Sequence, residues 1–308
     1  METNSRLQTP VVLPSPPWEE RKVRGSSGYA TGPVTKAPAW HGLVAWDMLF
    51  NGMTTGLFLV AAISELAAPD VFTSVARTAY PVAFVLLLVD LLCLVLDLGD
   101  PLRFHHMLRV FKPGSPMSLG TWCLTVYSVP LTATAMIGLL PGGWISLEWV
   151  RRLIVVIGFL PALGSAVYKG VLLSTNAQPG WKDARWLGGY LTNSALMLGC
   201  AEMLVLSVLM KHASAAAILR PALGLLLVLN LIPLCLLLGD LRTTLSRIYT
   251  RRELYGVGAL SLGGGVLIPL FLLFVGGSLL FTLSAVMFIL LGSLVIRFVI
   301  VKLPHASA

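Results

Sequence analysis

From Pro81 to Leu96 the chain reads PVAFVLLLVDLLCLVL, from Asp97 to Trp122 DLGDPLRFHHMLRVFKPGSPMSLGTW, and from Val126 to Leu140 VYSVPLTATAMIGLL. Two acids, two histidines and three bases are thus wedged between apolar runs. About 20 apolar residues cross roughly 30 Å of hydrocarbon as a helix. Such runs recur near 44–66, 80–98, 117–140, 150–173, 188–210, 217–239, 256–276 and 279–301. The expected fold is an all-α polytopic membrane protein with eight transmembrane helices. Composition agrees: only 12% of the 308 residues are charged and 56% are hydrophobic, whereas soluble domains carry about 25% charged residues.

The first 39 residues hold six of the 19 prolines and no apolar run of signal-peptide length. They read as a flexible tail. In a soluble protein the net charge of +8 would point to nucleic acid; here it sorts by membrane side, and no nucleic-acid partner is expected. The tail, the connections after helices two, four and six, and the C-terminus carry 17 of the 22 Lys and Arg. By the positive-inside rule both termini and the opening stretch are cytoplasmic. In a bacterial cell this places the chain in the inner membrane.

Cys93, Cys123, Cys200 and Cys235 stand singly in four apolar segments, without the spacing of an iron–sulfur or zinc site. The five histidines fall at helix ends or in tails, so no pair faces across mid-membrane as haem ligands. No haem and no iron–sulfur cluster is expected in this chain.

Leu98-Gly99-Asp100 is echoed by Leu238-Gly239-Asp240, Asn51 by Asn193, and Ser118-Leu119-Gly120 by Ser261-Leu262-Gly263, at offsets of 140 to 143 residues. An offset of four helices implies a parallel repeat, with four-helix bundles over 40–175 and 176–308.

If helices one to four alternate in direction, Asp47 and Asn51, then Asp97, Arg103 and His106, then Tyr168 and Lys169 share one membrane face. Asp90 and Asp97, seven residues apart, lie on one side of helix two. Asp90 and Glu202 sit near the middles of helices two and five, where a charged side chain costs about 2.5–3.5 kcal/mol on insertion scales. Each is either a structural hydrogen-bonding acid or part of a proton path. Glu65, at the far end of helix one, reads as a boundary residue.

The opening stretch resembles the helix-two-to-three segment of the NrfD/PsrC family, the membrane subunits of polysulfide-reductase-type oxidoreductases. Asp97, Leu98, Gly99, Pro101, Arg103, Phe104, Ser115, Pro116, Met117, Ser118, Gly120 and Trp122 match a D-L-G-x-P-x-R-F … S-P-M-S-x-G-x-W pattern. Tyr168 to Ser174 resembles the family's Y-x-G-x-L-L-S, and Arg297-Phe298-Val299 the end of its last helix. The resemblance runs from about 40 to 302. It implies two four-helix bundles, no bound haem, and a site for menaquinone or ubiquinone facing an iron–sulfur partner that serves a molybdenum-type catalytic subunit. The quinone-binding candidates are then Asp47, Asn51, Asp97, Arg103, His106, Tyr168 and Lys169, with Asp90 and Glu202 on a proton path. Among these, Asp47 and Asn51 are nominated from their position alone. A secondary transporter or ion-translocating module is the competing class; it calls for Pro- or Gly-broken helices at matching places in the halves, and Pro130, Pro161 and Pro233 do not match.

Overall fold

The computed structural model describes residues 40, 42–98, 100–140, 146–178 and 180–306. The proline-rich segment 1–39, His41 and Gly99 lie outside them. Among the described residues eight helices are long and apolar enough to span a bilayer: α1 Gly42–Ala67, α2 Pro69–Leu96, α3 Pro116–Leu139, α4 Glu148–Ser174, α5 Leu187–Leu209, α6 Ala213–Ile248, α7 Arg251–Val275 and α8. The last covers Leu279–Ala306. The chain is a multi-pass membrane protein.

Helix α2 begins at Pro69, well before the expected residue 80, with Ala68 alone separating it from α1. Asp70 and Arg77 dilute the hydropathy of that first stretch, yet proline suits a first helical turn because its missing N–H would be unpaired there anyway. Helix α6 likewise runs to Ile248, past the expected 239. Helix α7 changes pitch over Ala259–Leu267, a nine-residue π segment. There Gly265 lies against the backbone of Gly292 on α8, with no room for a side chain between them.

Helices α1 and α5 are the most enclosed, with 72% and 61% of their apolar windows buried inside the protein. Helix α1 packs on α2, α4, α5 and α8, and α5 on α1, α4 and α6. Lipid is as apolar as leucine, so membrane helices associate through close backbone approach at small residues. Gly56 of α1 faces the Ala195 carbonyl and Gly199 of α5, and a β-carbon at either glycine would overlap the opposing main chain. Gly199→Leu should therefore abolish accumulation of folded protein, read as loss of the monodisperse peak in fluorescence-detected size-exclusion chromatography. An unchanged peak would show that the crossing tolerates separation.

Candidate functional site

Because α1 is surrounded, its polar residues point at other helices. Asp47, Asn51, Thr54 and Glu65 recur at spacings that return to one side of a helix with 3.6 residues per turn, and all four are buried.

Near one end of this stripe, Lys169 of α4 reaches across the bundle. Its Nζ lies 2.8 Å from Asp47 Oδ1 and 3.1 Å from Asp90 Oδ1, and donates to the Asp47 carbonyl at 3.0 Å. Asn51 Nδ2 donates to the second Asp90 oxygen at 3.2 Å and to Ser165 Oγ at 3.1 Å. Helices α1, α2 and α4 are thereby tied by two carboxylates sharing one ammonium. With all three groups ionised the net charge is −1; with one carboxyl protonated it is zero.

Above this set opens a cleft of about 610 Å³, counting the part open to the surroundings. Asp97, Tyr168, Lys169 and Asp47 supply its ionisable groups, while Met48, Met107, Met117 and Leu172 supply apolar wall. The opening sequence stretch builds this mouth. After the short 3-10 helix Pro101–Leu108, Ser115 caps α3 by accepting from the Ser118 N–H at 3.4 Å, and Pro116 follows as first helical residue. Ser118 Oγ accepts from the Lys112 N–H at 3.0 Å and donates to the Val110 carbonyl at 3.3 Å, folding the connection onto the helix end. Gly120 leaves bare backbone where the Tyr168 ring lies, and a β-carbon there would run into the ring. The S-P-M-S-x-G run is thus cap, first turn, tie and ring slot in sequence.

Asp47, Asn51, Asp90 and Lys169 meet in one cluster, and Asp97 and Tyr168 join Asp47 and Lys169 at the cleft. Arg103 and His106 are placed elsewhere, on the exposed 3-10 helix. Arg103 pairs there with Asp100 at 2.9 Å, both largely exposed, and His106 packs edge-on against His105 with ring centroids 4.4 Å apart. Glu202 of α5 stands apart from the Asp90 set: both its oxygens are buried without a hydrogen-bond partner among the described residues.

Glu65 is no boundary residue. It is 1% exposed, pairs with the fully buried Arg151 of α4, and accepts from Tyr80 Oη at 2.9 Å. Its place eighteen residues after Asp47, five full turns on the same side of α1, was the available signal. Between the two ion clusters Tyr127 donates to the Thr54 carbonyl at 2.9 Å, and Thr54 Oγ1 donates to the Ala83 carbonyl at 2.7 Å. Phe58, fully buried, then packs between Tyr127 and Tyr80, with ring centroids 5.4 and 5.7 Å away. Ser165 escaped the sequence reading, and Arg297 entered it only as a match to the family's last helix. Arg297 sits fully buried in α8, its guanidinium held by Ser293 and, at 3.3 Å, by Ser194 Oγ.

Eight packed membrane helices, with an apolar cleft that opens at one end onto ionisable groups, define an integral membrane protein with one polar-ended cleft. The chain belongs to the polysulphide reductase NrfD family, whose profile matches residues 33–304. It is also similar to a selenate reductase subunit of Mesobacillus selenatarsenatis, 27% identical over 111 residues. That alignment spans 36% of this chain and 26% of the relative.

Proposed function

We propose that this chain exchanges electrons between the membrane quinone pool and an iron–sulfur partner subunit of a molybdenum-type enzyme, with the quinone ring, of menaquinone or ubiquinone, in the cleft beside Asp97 and Tyr168. The observation that carries the reading is the composition of that cleft. A quinone needs apolar wall for its isoprenoid chain, hydrogen-bond partners for two ring oxygens, and a route for two protons per two electrons. Met48, Met117 and Leu172 supply the wall. The Tyr168 hydroxyl and Asp97 carboxyl offer the partners. The Lys169–Asp47–Asp90 set, reached directly from the cleft through Lys169 and Asp47, takes up or releases a proton behind them. Membership of a reductase-associated family supports the partner assignment. An azidoquinone photolabel applied to the purified complex tests the site: cross-links are expected on the peptides holding Met117–Thr121 and Tyr168–Leu173, and labelling confined to other helices would overturn it.

The transporter reading draws on the polar residues strung along α1 from Asp47 to Glu65. Helices α3, α4 and α6 nevertheless run unbroken through Pro130, Pro161 and Pro233, whereas alternating-access sites are built on interrupted helices.

For orientation we infer an inner-membrane protein with both termini and the cleft on the cytoplasmic side, because 17 of 22 Lys and Arg fall there. Arg252, exposed at the start of α7, reports on it. An Arg252→Cys probe should resist an impermeant maleimide in intact cells and react after permeabilisation. Labelling in intact cells would put the cleft and its partner outside.

A further inference from the structure

Helices α6, α7 and α8 enclose a second cavity, of about 720 Å³ counting its open part, that the proposed function does not use. Its wall is mostly hydrocarbon, with Leu237 and Leu241 from α6, Val257 from α7, and Ile296 and Ile300 from α8, and Tyr249 lines it at the connection from α6 to α7. Ser261 also lines it, but its hydroxyl donates back to the Val257 carbonyl at 2.6 Å, occupying its proton within the π segment. Where the first cleft is lined by the Asp97 carboxyl and the Tyr168 phenol, the second is lined by no carboxyl, and Tyr249 and Ser261 are its polar side chains.

The rim has the opposite character. Arg242, Arg247, Arg251 and Arg252 cluster around the connection from α6 to α7, all exposed. None takes part in an ion pair among the described residues. Of the neighbouring acids, Glu253 is engaged by Thr250, whose N–H and hydroxyl both donate to it at 2.8 and 2.9 Å, and Asp240 is half-buried. Cavity and rim alternate along the same helices: Leu241 and Leu245 face inward beside Arg242 and Arg247, and Leu254 faces inward beside Arg251 and Arg252. One molecule with an apolar chain and an anionic head at membrane-interface depth satisfies both. Basic pockets between membrane helices select anionic headgroups in this way.

We propose that this cavity and its arginine rim bind an anionic phospholipid, one acyl chain lying between α6 and α8 and the phosphate on the arginines. The test uses the full chain, in its complex, reconstituted into nanodiscs of equal parts phosphatidylglycerol and phosphatidylcholine, then re-extracted into mild detergent for lipid mass spectrometry. The wild type should retain phosphatidylglycerol over phosphatidylcholine by at least tenfold. Replacing the four arginines with Gln should remove that preference. Gly258→Leu should lower total retained lipid severalfold while leaving the arginines in place, because Gly258 lines the cavity and a β-carbon there meets only open space. Equal retention of both lipids by the wild type, or unchanged retention in both variants, would overturn the proposal. Loss of the partner subunit from the arginine variant, with its lipid unchanged, would assign the rim to protein docking and also overturn it. If the arginine variant does not fold, Gly258→Leu decides alone.

Discussion

Asp97→Asn is expected to lower quinone-linked turnover of the assembled complex by ~10²-fold or more, the scale of a lost acid–base group, while yield and partner content stay normal. Asparagine keeps the size of aspartate and most of its hydrogen bonding but cannot titrate. Asp97 closes α2 at the mouth of the cleft, half-buried, with Tyr168 and Lys169 lining the same space. On the quinone reading proposed above, it would pass a proton between a ring oxygen and the solvent side. The competing role is purely local, the end of an apolar helix tied off by a carboxylate. In that case the variant should assemble poorly, yet whatever complex forms should turn over quinone at the normal rate per enzyme, and Asp97 would leave the site.

Lys169→Met should have the larger effect on the protein itself. Among the described residues Lys169 is the only cation within ion-pair distance of both Asp47 and Asp90, all three being 5% exposed or less. Removing one partner of a buried ion pair costs about 3–5 kcal/mol, because the remaining charge stays buried without compensation. Here two carboxylates would be left facing each other. The variant should fail to accumulate, or melt far below the wild type in a thermal assay on detergent-solubilised protein. Adding Asp47→Asn and Asp90→Asn removes the stranded charges and should restore most of the folded yield, without restoring quinone turnover. A single Lys169→Met protein that melts like the wild type would show that the carboxylates are solvated by some other route.

The eight helices and the one-sided polar face were legible because hydropathy reports on segments as wholes, and because alternating helix direction fixes which ends are neighbours. The partners were not. Lys169 and Asp90 both stood out, but one read as a cleft residue and the other as a separate mid-membrane acid, since a sequence carries no helix rotation. Their bond depends on how α2 and α4 turn toward α1. Glu65 and Arg151 show the same limit in another form. A charge near the end of an apolar run looks alike whether it snorkels into water or turns inward to a partner, and only packing around α1 separates the two. The enclosure of α1 did leave a trace, in polar residues returning every few turns to one side. The motif from Asp97 to Trp122 marked the cleft mouth without its construction: Ser115, Ser118 and Gly120 matched the family pattern, but their roles as cap, tie and ring slot depend on contacts with the connection and with Tyr168, and Arg103 and His106, equally prominent in the run, stand out on the exposed 3-10 helix.

Phe58 has an electrical meaning. Eighteen residues of α1 separate Asp47 from Glu65, roughly 27 Å at 1.5 Å per residue, so most of the length of α1 lies between the two ion clusters. Between them the Phe58 ring is wedged against Tyr127, Tyr80 and the edge of Pro130, in space left by Gly158. The fully buried Phe58 ring thus stands as an apolar plug between the two ion clusters. Carrying one charge through the whole transmembrane field takes about 2.3 kcal/mol per 100 mV. A proton passing between the cleft and Asp90 stays on one side of the plug, and so does only a fraction of that work. On the quinone reading proposed above, the proton traffic of the cleft would stay on the Asp47 side of Phe58.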